Sequence, residues 1–194
     1  MKIIGITGGI GSGKSVVLNM LHDVYGARIV EADKVAHELQ KPGQPIYNKI
    51  VDTFGNDILD ENDSIDRIKL GKLVMNDESK LDQLNSIVHP GVKKYILEDI
   101  EKCRNNSTEL YVIEAALLIQ GGYKKICDEM WYIKADESTR ISRLIESRGY
   151  TEERALQVIK NQPDETFYIE NSDRIIDNSG TVEKLEDELK KIKN

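Results

Sequence analysis

The chain has 194 residues, 39% apolar and 31% charged, with 14 glycines, which is enough for one packed core with an insertion but short for two independent domains. A formal charge of −7 argues against a general nucleic-acid binder, because affinity for a phosphate backbone needs a broad excess of Lys and Arg. No apolar run approaches the roughly 20 residues that cross a bilayer, and the N-terminus opens on a strand that leaves no room for a signal peptide. A soluble, cytoplasmic protein is expected.

Residues 2–7 (KIIGIT) form an apolar, β-branched run ending in glycines and predict a buried parallel strand. Residues 14–25 place Val17, Leu18, Leu21, Val24 and Tyr25 at helical spacing, with Gly26 as the stop. A short second strand follows at 28–30. Helical patterns then run over 33–40, 45–54, 66–75, 78–88 and 92–103, the first ending before Pro42. With about eighty residues between the second and third strands, this stretch is too large for a simple crossover and reads as a helical insertion. Strands at 110–115, 130–133 and 174–176 complete an α/β pattern with a mainly parallel sheet of about five strands flanked by helices. A second helical insertion, 138–165, carries Arg140, Arg143, Arg148 and Arg154. Cys103 and Cys127 have no zinc-ligand spacing and read as an incidental helix position and a small apolar residue.

Between the first strand and the first helix, Gly8-Gly9-Ile10-Gly11-Ser12-Gly13-Lys14-Ser15 matches G-x-x-x-x-G-K-[ST] at every fixed position. Glycines allow the backbone N–H groups to turn inward onto phosphate oxygens, and the following helix aims its positive end at the same anion. Lys14 is expected to reach the β- and γ-phosphates, and the Ser15 hydroxyl to ligate Mg²⁺. A random chain of this length would show the pattern with a probability well under ~1%.

The motif predicts nucleotide binding without fixing the reaction. No N-K-x-D tetrapeptide reads guanine, since Asn48-Lys49-Ile50-Val51 lacks the acid, and no D-x-x-G follows the third strand. Asp33, just past the second strand, reads either as an acid that orients an acceptor hydroxyl or as a helix N-cap. Arg140, Arg143 and Arg148 read as phosphate contacts or as a solvated helix face. His89, before Pro90, could simply cap a helix end. His22 and His37 read as exposed or packing residues, and Trp131 as core.

Taken together, these segments resemble the dephospho-coenzyme A kinase family. The resemblance runs from IGITGGIGSGKS (4–15) through EADKVAHEL (31–39), Ile65-Asp66-Arg67 and His89-Pro90 to Arg143-Leu144, Gln162 and DRIIDNSG (173–180). It implies a P-loop kinase core over 1–32, 109–137 and 171–194, a helical acceptor-binding insertion over 33–108 and a mobile lid over 138–170. It also implies transfer of the ATP γ-phosphoryl group to the ribose 3′-hydroxyl of dephospho-coenzyme A with Mg²⁺. On the matching positions, Asp33 would activate that hydroxyl, Arg143 would close over the phosphates, and Arg67 and His89 would contact the acceptor. Gly11, Ser12, Gly13, Lys14, Ser15 and Val16 would hold the nucleotide, with Asn178 beside the adenine. The partners expected are these small molecules, with no nucleic acid and no membrane, acting on a monomer or small homo-oligomer.

Some positions depart from the family pattern. Val16 stands where Thr commonly follows the P-loop, and Glu31 replaces the first Asp of Asp-Ala-Asp. Residues 114–120 (EAALLIQ) replace a Pro-Leu-Leu segment ending in Glu, and Ser147 sits where a second arginine is expected, one residue before Arg148. Another small-acceptor P-loop kinase, or a relative that binds nucleotide without catalysis, are the alternatives to this reading.

Overall fold

The computed structural model of the chain describes residues 1–115 and 117–190. In chain order its elements are β1 (Lys2–Thr7), α1 (Lys14–Tyr25), β2 (Arg28–Glu31), α2 (Ala32–Leu39), α3 (Pro45–Phe54), α4 (Arg67–Met75), α5 (Glu78–Asn105), β3 (Leu110–Glu114), β4 (Glu129–Lys134), α6 (Glu137–Arg148), α7 (Glu152–Lys160), α8 (Glu165–Glu170), β5 (Arg174–Asp177) and α9 (Val182–Lys190). The chain divides into two compact units, residues 1–29 with the segment from Cys103 onward, and residues 30–102. β2 runs across the boundary.

The five strands lie in the order β2-β3-β1-β4-β5. β1 is parallel to both β3 and β4, and β4 to β5. Ile3, Ile4 and Ile6 are almost fully buried, because a central parallel strand is covered on both faces, which explains its unbroken apolar run. Val17, Leu18 and Leu21 of α1 join Ile4, Ile6, Val112, Trp131 and Ile133 in one core. Trp131 is buried there as expected, and its indole N–H donates to Glu129 at 2.8 Å. Parallel pairing places the ends of β1, β3, β4 and β5 on one edge of the sheet, where an α/β fold builds its ligand site. Burial and the charge of Asp128 push the Cys127 thiol up to about 12, which makes it an inert packing group at neutral pH.

The segment predicted as a helical insertion at 138–165 is divided by turns. Gly149 ends α6 in the left-handed conformation. Thr151 then caps α7 by accepting from the Arg154 N–H, and Asp164 caps α8 by accepting from the Phe167 N–H. α6 and α7 share a small core of Leu144, Ala155 and Ile159, against which Ile10 of the P-loop also packs.

In the second unit, α3 and α4 bury Ile46, Ile50, Leu70 and Val74, with Leu84, Ile87 and Val88 of α5 packed against them. Two helices were expected at 78–88 and 92–103; the structure has one, α5, which continues through Pro90. Proline removes one backbone donor, a cost of about 3 kcal/mol in a helix interior. Val92, Ile96 and Ile100, on one stripe, are almost fully buried beyond it, and that burial offsets the lost bond. Gly91 permits the close packing at this point, since a side chain there would run into Ile46. Among the described residues no helix is long and apolar enough to cross a membrane.

Candidate nucleotide site

β1 delivers the chain to the sheet edge at Thr7, and residues 8–13 turn into α1. Gly13 is the N-cap of that helix, in a left-handed conformation (φ 81°, ψ 29°) that an L side chain rarely adopts. The result is a glycine-rich turn leading into a helix N-terminus, an anion site built from main chain. Lys14, the first helical residue, donates from Nζ to the Gly8 carbonyl at 2.7 Å and lies 3.8 Å from Glu114 Oε1. Ser15 and Val16 are exposed beside it.

Glu114 was not singled out from the sequence. It ends β3 and pairs in register with Ile6, one residue before β1 finishes. Its signal was available: an acid closing an otherwise apolar strand.

Several carbonyls of the loop are occupied by side chains from beyond β4. Arg140 donates from Nε to the Ile10 carbonyl at 2.8 Å and from Nη2 to Gln162 Oε1 at 2.7 Å, and the same Oε1 accepts from the Ile10 N–H at 2.9 Å. Arg143 donates to the carbonyls of Ser12 at 3.1 Å, Gly11 at 3.4 Å and Asn178 at 2.8 Å. The buried Asn178 amide donates to Ser12 O at 2.8 Å. Gly11, at φ 78°, lies against the Arg140 backbone, whose carbonyl would be 2.8 Å from an added Cβ. Arg143 and Asn178, expected at the phosphates and the adenine, therefore spend these donors on the back of the loop.

Ser12 is 1% exposed, yet among the described residues its hydroxyl has no hydrogen-bond partner. An unsatisfied buried hydroxyl costs about 1–3 kcal/mol. Ser12→Ala should therefore raise the Tm of the ligand-free chain by a few degrees, at ~2–4 °C per kcal/mol for this size, as read by scanning calorimetry. A lowered Tm would mean that the hydroxyl is a net stabiliser.

The other predicted residues belong to the second unit. Asp33 is exposed in the first turn of α2, whose N-cap is Glu31, so the reading of Asp33 as the cap is corrected. Arg67 is exposed and opens α4, where Asp66 is the cap and accepts from the N–H groups of Ile68 and Lys69 at 2.9 and 3.1 Å. His89 is exposed inside the continuous α5, which removes the reading of it as an end cap. In the first unit, His22 Nδ1 lies 3.1 Å from the Ala27 carbonyl and closes the turn after α1.

A family model described as dephospho-CoA kinase matches residues 2–184. The chain belongs to the dephospho-CoA kinase family. It is 38% identical to the dephospho-CoA kinase of Carboxydothermus hydrogenoformans, covering 97% of this chain and 91% of that one. With the dephospho-CoA kinase of Aquifex aeolicus the identity is 39%, over 99% of this chain and 96% of the relative. A crystal structure from Thermus thermophilus superposes with a TM-score of 0.82 at 26% identity, covering 98% and 95% of the two chains.

Against the dephospho-CoA kinase pattern, some departures have a visible setting. Glu31, in place of Asp, pairs with Lys34 at 2.7 Å. Ser147, where an arginine was expected, donates its hydroxyl to the Arg143 carbonyl. Arg148 and Arg154 both reach the Tyr150 hydroxyl and hold its pKa below the usual tyrosine range, and the Arg154 guanidinium lies 5.0 Å over the Tyr150 ring. Within 114–120, Ala116 lies outside the described residues.

Proposed function

We propose that this chain transfers the γ-phosphoryl group of ATP to the ribose 3′-hydroxyl of dephospho-coenzyme A, giving coenzyme A and ADP, in the cytoplasm. The observation that carries this reading is Lys14 at the head of α1, within a chain that the family model matches over residues 2–184. The P-loop amides and the α1 N-terminus bind the phosphates, and Lys14 exchanges the Gly8 carbonyl for phosphate oxygens as negative charge builds on the transferring group. Gly11, Ser12, Gly13, Ser15 and Val16 line the nucleotide, with Asn178 close to the adenine. Arg143 backs the phosphate site.

The oxygens available suit Mg²⁺. The Ser15 hydroxyl and the Glu114 carboxylate are hard donors beside Lys14, and among the described residues no cluster of three or more His, Cys, Asp or Glu could hold a metal alone. That is the donor set of an ion shared with substrate phosphates. When bound, Mg²⁺ supplies neutralisation of charge on the β- and γ-oxygens.

Residues 33–108 take the acceptor and residues 138–170 form the lid over a core of 1–32, 109–137 and 171–194. Asp33 accepts the hydroxyl proton as the new O–P bond forms and the bond to the β-phosphate oxygen breaks; Arg67 and His89 contact the acceptor. Their exposure, and the position of Asp33 in the first turn of the helix that follows β2, support these roles.

A coupled ADP-release assay against a panel of acceptors tests the reading. ADP release should depend on dephospho-coenzyme A, with AMP and shikimate near background. Comparable turnover with either of those would overturn the acceptor assignment.

A further inference from the structure

The motif leaves residue 10 unspecified, yet Ile10 is held on its N–H, its carbonyl and its side chain at once. Its N–H donates to Gln162 Oε1 at 2.9 Å, its carbonyl accepts from Arg140 Nε at 2.8 Å, and its side chain packs against the small core shared by α6 and α7. Arg140 and Gln162 are joined at 2.7 Å, so the bonds close into a ring through the backbone of one residue and fix the peptide units on both sides of its Cα.

We infer that Arg140 and Gln162 are positioning residues of the reaction, which act on the nucleotide through the P-loop backbone and do not touch it. The Ile10 N–H and the Arg140 guanidinium both meet the Gln162 side chain at its Oε1. Arg140, with Nε and Nη2 committed, presents its guanidinium to the loop and to Gln162. Fixing a backbone beforehand removes an ordering cost of about 1–2 kcal/mol per residue from the binding step. The pair should therefore contribute to nucleotide affinity by preorganisation, with little separate effect on the chemical step.

The inference rests on the nucleotide-binding half of the proposed function and is independent of the acceptor. Gln162→Glu keeps oxygens that can accept from both Ile10 and Arg140, whereas Gln162→Met keeps the length and removes the acceptor. ADP affinity by calorimetry, steady-state kinetics and amide exchange over residues 9–13 provide the readouts. We expect Gln162→Met to weaken ADP binding and raise KM for ATP by roughly tenfold, the equivalent of one lost bond of ~1.4 kcal/mol. Its kcat should stay within about threefold and exchange at Ile10 should quicken. Gln162→Glu should stay within about threefold of wild type in every measurement, because the acceptor geometry is retained.

A Glu variant as weak as Met, or weaker, would overturn the inference, since an added negative charge hurts most where a side chain touches phosphate. Unchanged ADP affinity in the Met variant, or a loss confined to kcat, would also overturn it. Should Gln162→Met fail to fold, the Glu arm and Arg140→Lys decide. Lysine keeps the charge but cannot bridge Ile10 and Gln162 with fixed geometry, so it should raise KM for ATP, and wild-type behaviour would count against the proposal. A wild-type chain that binds no ADP would overturn this inference and the nucleotide reading together. One that binds ADP but ignores dephospho-coenzyme A would overturn only the acceptor assignment.

Discussion

Lys14→Ala should reduce ADP release by about 10³-fold or more, the scale seen when a charged group that stabilises a transferring phosphoryl is lost. The same change touches the resting protein only modestly. Lys14 Nζ is bonded to the Gly8 carbonyl and lies 3.8 Å from the Glu114 carboxylate, with side-chain exposures of 19% and 12%. Removing the lysine weakens the setting of a largely buried carboxylate, a loss of about 1–3 kcal/mol. That figure separates the two effects experimentally. Adding Glu114→Gln to Lys14→Ala should return much of the lost Tm by calorimetry, since the retained group is then neutral. Turnover in the double variant should stay near the floor. Recovery of turnover with Tm would mean that Lys14 acts only by neutralising Glu114, and near-normal turnover in the single variant would remove the P-loop lysine from the mechanism.

Asp33→Asn should lower kcat by roughly 10²–10⁴, the usual range for a positioned acid or base. The structure makes the cost of the change to folding easy to bound. Asp33 is exposed, and it is not the cap of α2, a place held by Glu31. What the carboxylate contributes to the helix is its charge in the first turn, worth about 0.3–1 kcal/mol at an exposed site. A ribose hydroxyl has a pKa far above neutrality, so its proton leaves only as the bond to phosphorus forms, and orientation counts for more than basicity in a loose transition state. Asparagine keeps the shape and one acceptor while losing the charge. A variant with full kcat and unchanged stability would sink the catalytic role of Asp33. A fall in kcat matched by a large fall in Tm would point to a structural part that the exposed position does not suggest.

Much of the fold was legible because local chemistry carried it. A β-branched run before a glycine-rich loop, a helical stripe from Val17 to Tyr25, and three later apolar runs gave the parallel sheet, while the family came from resemblance in segments such as IGITGGIGSGKS and DRIIDNSG. Pro90 was misread for a physical reason: a proline weakens a helix locally, whereas burial of Val92, Ile96 and Ile100 is settled by packing that no window of sequence displays. The glycine-rich loop was legible from residue identity, and contacts that side chains make with main chain were obscure. Arg140 Nε, Arg143 and Asn178 all donate to backbone carbonyl oxygens, which every residue possesses, so nothing in residue identity marks these targets. Glu114 was hidden differently, as a single acid with no tetrapeptide around it.

The register of β1 also has a consequence for synthesis. Ile3 pairs with Tyr111, Ile4 pairs with Glu129, and the Ile3 N–H donates to Asp128 at 2.7 Å. Once synthesised, β1 therefore waits for roughly a hundred further residues before either neighbour exists. Residues 30–102, contiguous in sequence, can collapse during that interval at ~5–20 residues per second. The P-loop strand, apolar on both faces, meanwhile remains an unpaired edge, the kind of surface that chaperones recognise and that aggregates when they are scarce.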